Sequence, residues 1–406
     1  MAVSCGVRAA LSSSSAIRKM FEEGNSLKAR YGADKVFDFS IGNPDVPPPP
    51  AFYKVLAGIA AEKTTGVHGY MPNAGFDFAR AALAKKISLE QGVECPAACV
   101  VMSVGAAGAL NVVLKALLDA GSEVIVSAPF FPEYRAYCAN HGGILIPVPA
   151  CPDFELDVEA IAKTLNANTR ALIINSPNNP TGRIYSAASL DALGRLLNEH
   201  ERKTGQLPFI IADEPYRDIV YGGLETPQIF PRFRNSIVVS SFSKTLSLPG
   251  ERIGYIAVNP GSDEFTLLLD ALIYATRVLG FVNAPALMQR AVAQLTMERV
   301  CVDIYEKRRD AFIEVLDAAG LEYVKPQGAF YIFAKVPEHD NKSGGAAQDD
   351  IAFADLLKRR LILGVPGSGF GKSGWIRFAY CVNEEIIRSS KNAFVDSVKE
   401  WENGAS

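Results

Sequence analysis

The chain has 406 residues, of which 49% are hydrophobic and 21% charged, a composition typical of a well-packed globular protein. Its formal net charge of −3 argues against a nucleic-acid-binding protein, because such proteins usually carry a basic footprint. A single core rarely serves more than about 250–300 residues, so the length predicts more than one domain.

The N-terminal part of the chain predicts one helix followed by a loop. Four consecutive serines at residues 12–15 favour a helix start, with residues 16–23 as the helix behind them. Four consecutive prolines at residues 47–50 cannot continue a helix or a central strand. The N-terminus lacks the apolar core of a signal peptide, and no later stretch approaches the ~20 apolar residues of a membrane span. We therefore expect a soluble protein that is not exported.

The middle of the chain, from about residue 99 to 259, alternates short apolar runs with longer amphipathic stretches such as GALNVVLKALLDA. Continuous apolar strands separated by helices are typical of a mostly parallel sheet that is buried on both faces. The fold class predicted here is therefore α/β, with a central sheet flanked by helices. The predicted strands are CVVMSV, EVIVSAP, GILIPV, ALIINS, FIIADE, IVVSSFS and RIGYIAV.

The C-terminal part differs from the middle. It contains a helical stretch from about 284 to 319, a strand-like AFYIFAKV, a polar Gly-rich insertion near DNKSGGAAQDD and a further helix–strand–helix run. We expect a large domain at residues 51–285 and a smaller α+β domain built from both chain ends, residues 1–50 and 286–406.

Ligands of an open α/β sheet bind outside the carboxyl ends of its strands, and polar groups follow several of the predicted strands here. VVMSV precedes the small residues GAAGAL, which open a helix, and EVIVSAP precedes Phe131. ALIINS continues into SPNNPTG, FIIA into DEPY, and IVVS into SFSK with GERIGY behind it. One edge therefore carries a helix N-terminus, an aromatic ring, an amide, a carboxylate with a phenol, and a lysine with hydroxyls.

Each of these features also has a plain structural explanation. GAAG can serve tight packing of a helix on a strand, Phe131 can belong to the core, and Asp213 can cap a helix. SPNNP is a common turn, and Lys244 can be a solvated surface lysine. Their occurrence together on one edge, in this order, favours a binding site over the separate explanations.

Other cofactor and metal sites find less support. GVPGSGFGKSG resembles a nucleotide-binding P-loop, but the spacing requires a glycine where Pro366 stands, and no GxGxxG follows the first strand. The seven cysteines form no CxxC pair and the four histidines are scattered, so we expect no metal site. An odd number of cysteines in a long chain favours reduced thiols and a cytoplasmic location.

Taken together, SFSK with GERIGY, NNPTG, DEPY, GNP at 42–44 and WIRFAYC at 375–381 resemble the class I/II pyridoxal-phosphate aminotransferases of fold type I, over nearly the whole chain. The resemblance implies that Lys244 binds pyridoxal 5'-phosphate as a Schiff base and later moves a proton between substrate and cofactor. Asp213 would keep the pyridine nitrogen protonated. Tyr216 and Asn179 would reach the phenolate oxygen of the ring, and Phe131 would stack on its face.

The resemblance also implies a phosphate site at the helix N-terminus, on the backbone N–H groups of Ala106 and Ala107. Ser241 and Arg252 would complete this site. Tyr70 resembles the tyrosine with which a neighbouring subunit contacts the phosphate, which would make the protein a homodimer with shared active sites.

The substrates implied by the resemblance are an L-amino acid and a 2-oxo acid. Arg377 would pair with the α-carboxylate, because guanidinium geometry matches a carboxylate, and the Gly42 backbone would close over it. The expected reaction passes through ketimine and pyridoxamine phosphate forms, with aspartate or a similar amino acid as donor and 2-oxoglutarate as acceptor.

The chain departs from the aspartate-specific members at two places. One subgroup carries a lysine at the third residue of the phosphate-loop triplet, where this chain has the uncharged Gly105-Ala106-Ala107. Another subgroup uses an arginine from the partner subunit, and the residue that aligns with it here is Val278. Arg277, one position away, is the candidate for recognising a distal carboxylate.

Two alternatives remain open. A carbon–sulfur β-lyase on the same fold would share the first chemical steps, but PTG after Asn179 and the intact GERIGY favour transamination. A non-catalytic regulator that binds pyridoxal phosphate would carry a DNA-binding module of about 70 residues. Only about 50 residues precede the large domain, and no nucleic-acid or membrane partner is expected.

Overall fold

A computed structural model describes residues 2–12, 16–338 and 349–404 of the chain. Three of the four residues of the helix start predicted at 12–15, residues 13–15, and most of the predicted Gly-rich insertion lie outside the described residues, whereas Ser12 ends α1. The α-helices are α1 Cys5–Ser12, α2 Ala16–Tyr31, α3 Pro50–Ala61, α4 Asp77–Gln91, α5 Gly105–Leu117, α6 Tyr134–Ala139, α7 Val158–Thr164, α8 Ala187–Thr204, α9 Phe242–Thr245, α10 Phe265–Val278, α11 Ala286–Val292, α12 Val302–Ala319, α13 Asp350–Arg359, α14 Glu384–Ser389 and α15 Lys391–Glu402.

The strands are β1 Phe37–Asp38, β2 Val100–Ser103, β3 Glu123–Ala128, β4 Ile144–Pro149, β5 Thr169–Asn175, β6 Phe209–Asp213, β7 Ser236–Ser241, β8 Gly254–Val258, β9 Tyr331–Lys335, β10 Ile362–Leu363, β11 Val365–Pro366 and β12 Trp375–Ala379. Short 3-10 helices cover Ala33–Lys35, Ala97–Cys99, Pro249–Glu251 and Gly367–Phe370.

The seven predicted strands of the middle region form one sheet, in the order β2-β8-β7-β6-β5-β3-β4. Only β8 runs antiparallel to its neighbours β2 and β7, and the other pairs are parallel. Every residue of β6 and β7 is buried, as expected for strands covered on both faces. The predicted α/β fold with a mostly parallel sheet is therefore confirmed.

Alternate residues of the strands supply two separate cores, one on each face of the sheet. Ile237 and Val239 of β7 pack with α5 and α10, whereas Val238 between them packs with α4, α8 and α11 on the other side. Because side chains of a strand alternate between faces, a run of uniformly apolar residues fills both cores at once.

The smaller α+β part joins the two ends of the chain. Strand β1 pairs in parallel with β10, and an antiparallel sheet has the order β11-β12-β9. Helices α12, α13, α14 and α15 share a third core with strands β1, β9, β10 and β12, and this core includes Phe39 and Trp401. The predicted boundary at residues 285 and 286 stays a prediction, and α11 packs on α3 and α4 of the large core.

Two predicted elements differ from those found. The single helix predicted at 284–319 is two helices, α11 and α12, separated by residues 293–301. In this connection Leu295 belongs to the large core and Val300 to the small one, and the Val300 N–H donates to Thr245 O at 2.8 Å. Among the described residues of positions 1–49 there are two α-helices, α1 and α2, rather than one, and α2 extends to residue 31 instead of 23.

The chain approaches itself closely where β2 turns into α5. Gly105 has a positive φ of 70°, and a Cβ on Gly254 would lie 2.9 Å from the Gly105 backbone. Glycine is required at both positions. A side chain at 105 would strain the backbone at this positive φ, and a side chain at 254 would collide with the backbone of Gly105. This contact places the start of α5 beside β8. Among the described residues no helix is long and apolar enough to cross a membrane.

Candidate active site

A cavity of about 280 Å³ opens at the carboxyl ends of the parallel strands, between the large sheet and the small part. It collects side chains and backbone from loops that are far apart in the sequence, as the order of the strands predicts. The candidate site residues that line it are Gly42, Ala106, Ala107, Phe131, Asn179, Asp213, Tyr216, Ser241, Lys244, Arg252 and Arg377.

Asp213 is the last residue of β6 and is 6% exposed. Its Oδ2 accepts a hydrogen bond of 2.5 Å from the Tyr134 hydroxyl, and its Oδ1 is buried without a partner among the described residues. Burial raises the pKa of Asp213 to about 6, against the lowering effect of the Tyr134 hydrogen bond. A buried carboxylate oxygen without a donor is costly, so this atom marks a place for a cationic N–H group.

Lys244 lies in the short helix α9, directly after β7. Its Nζ donates to Gly42 O at 2.8 Å and lies 5.3 Å from the centre of the Phe330 ring. Burial lowers the pKa of Lys244 to about 8, with a further lowering by Arg252 and Arg377. A lysine with a pKa near 8 keeps a substantial neutral fraction at physiological pH, which suits a nucleophile or a base.

Asn175 holds two parts of the site in place. Its Nδ2 donates to Asp213 O at 2.8 Å, and its Oδ1 accepts from the Asn179 backbone N–H at 2.7 Å. The side chain of Asn179 in turn accepts from Arg377 Nη1 at 3.1 Å through its oxygen. The amide nitrogen of Asn179 is therefore the group that remains available to donate to a ligand.

Arg377 lies in the middle of β12 and is 2% exposed. Besides Asn179, it donates through Nη2 to Ser40 O, and its Nε is buried without a partner among the described residues. Burial lowers the pKa of Arg377, although a guanidinium stays charged at neutral pH. A buried cation with an unused donor fits an anionic ligand such as a carboxylate.

The opposite end of the cavity is formed by the first turn of α5 and by Arg252. The first N–H groups of a helix have no partner within the helix, which makes this turn suitable for an anion. Ser241 precedes α9, and Arg252 has a positive φ of 50° and donates through Nη1 to Pro249 O at 2.9 Å. A Cβ on Gly105 would lie 2.9 Å from Arg252 Nη2, so glycine leaves room for the guanidinium.

Two candidate residues do not reach this cavity within one chain. The side chain of Tyr70 is 94% exposed, and that of Arg277 lies on α10 with its guanidinium carbon 5.6 Å from the Tyr274 ring centre. Neither residue lines the cavity.

Four further residues that the sequence patterns did not predict also line the cavity and shape the site, namely Tyr134, Tyr137, Asn175 and Tyr331. Asn175 is the penultimate residue of the predicted strand ALIINS and the last residue of β5, so its position at the edge could have been noticed. Tyr134, the first residue of α6, follows Phe131 by three positions and contacts its ring edge-on at 5.5 Å. Tyr331 depends on the pairing of β9 with β12, which is distant in sequence and gives no local signal.

The residues present fit the implied cofactor, an aromatic ring with a cationic nitrogen and a phosphate. Asp213 Oδ1 offers an unpaired acceptor for the ring nitrogen, Lys244 an amine, and the α5 start with Arg252 an anion site. Tyr216 and Asn179 supply donors between these points. Among the described residues no group of histidine, cysteine and carboxylate side chains is arranged to hold a metal ion.

Comparison with known proteins gives consistent matches over most of the chain. The model of the family "Aminotransferase class I and II" matches residues 34–389. A probable aspartate/prephenate aminotransferase of Aquifex aeolicus is 32% identical over 90% of this chain and 91% of its own. The aromatic-amino-acid aminotransferase 2 of Thermococcus litoralis is 30% identical over 95% and 96%. The crystal structure of an amino transferase from Eubacterium rectale has a TM-score of 0.92 and 38% identity, over 99% of both chains.

Proposed function

Because the chain belongs to the class I and II aminotransferases and is a pyridoxal-phosphate-dependent transaminase, we propose that it moves the amino group of L-aspartate, or of a similar amino acid, to 2-oxoglutarate. The observation that carries the mechanism is the meeting of three groups in one cavity. These are the unpaired carboxylate oxygen of Asp213, the amine of Lys244 and the unpaired Nε of Arg377.

Pyridoxal phosphate supplies an electron sink for the negative charge that develops at the α-carbon of the amino acid. Asp213 would hold this cofactor by its ring nitrogen, because an anionic carboxylate favours a protonated nitrogen and its Oδ1 has no other partner. Tyr216 and Asn179 would donate to the ring oxygen, and Phe131 would cover one face of the ring. The start of α5, Ser241 and Arg252 would hold the phosphate.

Lys244 would anchor the cofactor through its Nζ and would then move a proton to or from the substrate α-carbon. Its lowered pKa, about 8, places the amine close to physiological pH, where a group can both accept and release a proton. The carbonyl oxygen of Gly42 contacts the same Nζ, so the N-terminal segment lies directly over the reacting atoms and limits the access of water.

Arg377 would orient the substrate by its α-carboxylate. Its guanidinium is held by Asn179 and Ser40, so the remaining donor directions are fixed before the substrate arrives. A charge-assisted pair with fixed geometry positions the α-carbon beside Lys244 and contributes to the rate through orientation.

The choice of donor rests on the relatives, because this cavity contains no further cation from its own chain besides Lys244, Arg252 and Arg377 among the described residues. The Aquifex aeolicus relative is named an aspartate/prephenate aminotransferase. We propose aspartate as donor, with the distal carboxylate recognised by Arg277 of a second subunit. The 94% exposed Tyr70 would likewise complete the phosphate site of that neighbour in a homodimer. A cytoplasmic location would keep all seven cysteines unpaired, as they are here.

The direct test supplies the purified enzyme with pyridoxal phosphate and 2-oxoglutarate and compares L-aspartate with aromatic and aliphatic amino acids. We expect glutamate to form fastest with aspartate, and Lys244→Ala to form none. Equal rates with apolar donors would contradict the choice of donor but not the transamination. With L-cysteine as the only substrate, release of sulfide, pyruvate and ammonia without any 2-oxo acid would instead indicate elimination, with the β-sulfur as the leaving group.

A further inference from the structure

We propose that Tyr331 is a positioning residue of the reaction, which fixes the Tyr216 hydroxyl for the cofactor ring oxygen and holds the Arg377 guanidinium in place. The inference rests on the proposed function, in which Tyr216 binds the cofactor and Arg377 the substrate. Tyr331 would thereby link the two binding groups through a single side chain.

The pairing of β9 with β12 explains how Tyr331 reaches Arg377. Tyr331 is opposite Ala379 and Phe333 is opposite Arg377, so Tyr331 and Arg377 are diagonal neighbours on the same face. The guanidinium carbon of Arg377 lies 4.7 Å from the centre of the Tyr331 ring and 4.8 Å from that of Phe370. Aromatic rings at this distance favour the cation and restrict its orientation.

The hydroxyl of Tyr331 lies 2.8 Å from the hydroxyl of Tyr216. Each hydroxyl carries one proton, so if Tyr216 donates to the cofactor, Tyr331 must donate to Tyr216. An accepted hydrogen bond polarises Tyr216 and makes it a stronger donor. Burial raises the pKa of Tyr331 to about 12 and that of Tyr216 well above its usual value, so both phenols keep their protons at neutral pH.

The surroundings leave Tyr331 little freedom to move. It is 3% exposed, and a Cβ added to Gly42 would overlap its hydroxyl, so the N-terminal segment covers it closely. The titratable groups that act on the two phenols are Arg377, Asp213 and Cys381, and the Lys244 amine lies 6.0 Å from the Tyr216 ring centre. Among the described residues Tyr331 is thus the hydroxyl that contacts the Tyr216 hydroxyl.

The test is the pH titration of the visible absorption band of the holoenzyme, which reports the nitrogen that joins Lys244 to the cofactor. A donor on the ring oxygen withdraws negative charge and so lowers the pKa of that nitrogen, and a weaker donor raises it. Tyr216→Phe sets the scale of the shift. We expect Tyr331→Phe to raise the midpoint by about half a pH unit, in the same direction and by less than Tyr216→Phe.

The matched control is Tyr380→Phe, which removes another fully buried phenol from the residue after β12. Its hydroxyl contacts the Tyr221 hydroxyl at 3.3 Å, and Tyr380 does not line the cavity, so the midpoint should stay at the wild-type value. Unfolding midpoints of both variants show whether they fold equally well. Tyr331→Leu also lacks the hydroxyl and must shift the absorption midpoint in the same direction as Tyr331→Phe.

Steady-state kinetics separate the two contacts of Tyr331. Tyr331→Phe keeps the ring beside Arg377, so kcat should fall about threefold to tenfold while KM for the amino acid stays near the wild-type value. Tyr331→Leu removes the ring as well and should also raise KM. A residue with a structural role alone would change neither the absorption midpoint nor this division between kcat and KM.

An unchanged midpoint in Tyr331→Phe, together with a shifted midpoint in Tyr216→Phe, overturns the inference and leaves the proposed function intact. If Tyr216→Phe shifts nothing either, Tyr216 does not bind the ring oxygen. The inference then falls together with that assignment, while amino transfer by the wild-type enzyme still decides the proposed function separately.

Discussion

The two ends of the large sheet both carry a cavity, but they differ in how their polar groups are satisfied. The cavity at the amino ends of the strands is larger, about 650 Å³ against about 280 Å³ at the carboxyl ends. Asn235 there donates to Asp263 at 3.0 Å, and Arg170 Nε donates to Leu117 O at 3.1 Å. None of the described residues that line it has a buried side-chain polar atom without a partner.

The smaller cavity contains two such atoms, Asp213 Oδ1 and Arg377 Nε. Leaving a buried polar group unpaired costs about 1–3 kcal/mol, and more for a charge, so a fold retains it where a ligand supplies the missing partner. Cavity volume alone would favour the amino ends of the strands. The unpaired buried charges favour the carboxyl ends, where we propose that the cofactor binds.

The largest expected effect follows from removing the unpaired charge at the carboxyl end. Asp213→Asn keeps the shape but cannot stabilise a protonated ring nitrogen, so kcat/KM should fall about 10²–10³-fold. The matched variant at the other end is Asp263→Asn, which should leave kcat/KM unchanged. Equal losses in both variants would show that the comparison of the two ends has no functional meaning.

The second variant changes the geometry of the cation without removing its charge. Arg377→Lys should lower kcat/KM about 10²-fold, mainly through KM, because an ammonium cannot offer the fixed donors of the guanidinium. Arg170→Lys at the amino end is the control and should behave as wild type. A kcat/KM for Arg377→Lys within twofold of wild type would exclude Arg377 as the carboxylate group.

Asp213→Asn, which is expected to lower activity, should at the same time make the cofactor-free protein more stable. Burial raises the pKa of folded Asp213 from 3.8 to about 6, so between these values the folded protein keeps a proton that the unfolded chain has lost. Stability therefore falls as pH rises from about 4 to 6, and the full cost of about 2–3 kcal/mol is present at pH 7.

Asp213→Asn should accordingly increase the free energy of unfolding of the cofactor-free protein at pH 7, and this gain should vanish as the pH falls from 6 to 4. Denaturant unfolding at several pH values measures it, with Asp263→Asn as the control. A variant that is less stable than wild type at pH 7 would mean that the charge of Asp213 is already compensated without the cofactor.

The smallest expected effect concerns a residue outside both cavities. If Arg277 of a second subunit binds the distal carboxylate, Arg277→Ala should lower kcat/KM for aspartate about tenfold and leave an apolar donor unaffected. Unchanged kinetics with aspartate would remove Arg277 from the account. The result decides whether the small cavity is complete within one chain.

The sequence predicted the parts of this fold that depend on local pattern. Seven apolar runs became the seven strands of the large sheet, and GAAGAL opened α5. The edge with Asp213 and Lys244 followed from the rule that parallel strands share their carboxyl ends. The same patterns could not reveal that Leu295 belongs to the large core and Val300 to the small one. The chain passes between these two cores in the segment that separates α11 from α12.

Two of the missed residues, Tyr331 and Tyr134, owe their place in the site to contacts between segments that are distant in sequence. Tyr331 faces Arg377 only because β9 pairs with β12 in one register, and a slip of one residue would turn it to the other face. The Tyr134 hydroxyl donates to the Asp213 carboxylate, although the two residues are 79 positions apart in sequence. Tyr134 lies in α6, whereas Asp213 ends β6. Neither contact leaves a motif, whereas Asp213 lies in DEPY and Lys244 in SFSK, which the sequence alone makes visible.

The central claim is that Lys244 holds the cofactor, and reduction of the holoenzyme with borohydride tests it most directly. Reduction makes the bond between lysine and cofactor permanent, and mass spectrometry of the peptides then locates the label. We predict the label on the peptide that contains Lys244, and none on that peptide after incubation with L-aspartate before reduction. A label on another lysine, or none on any, would contradict the account.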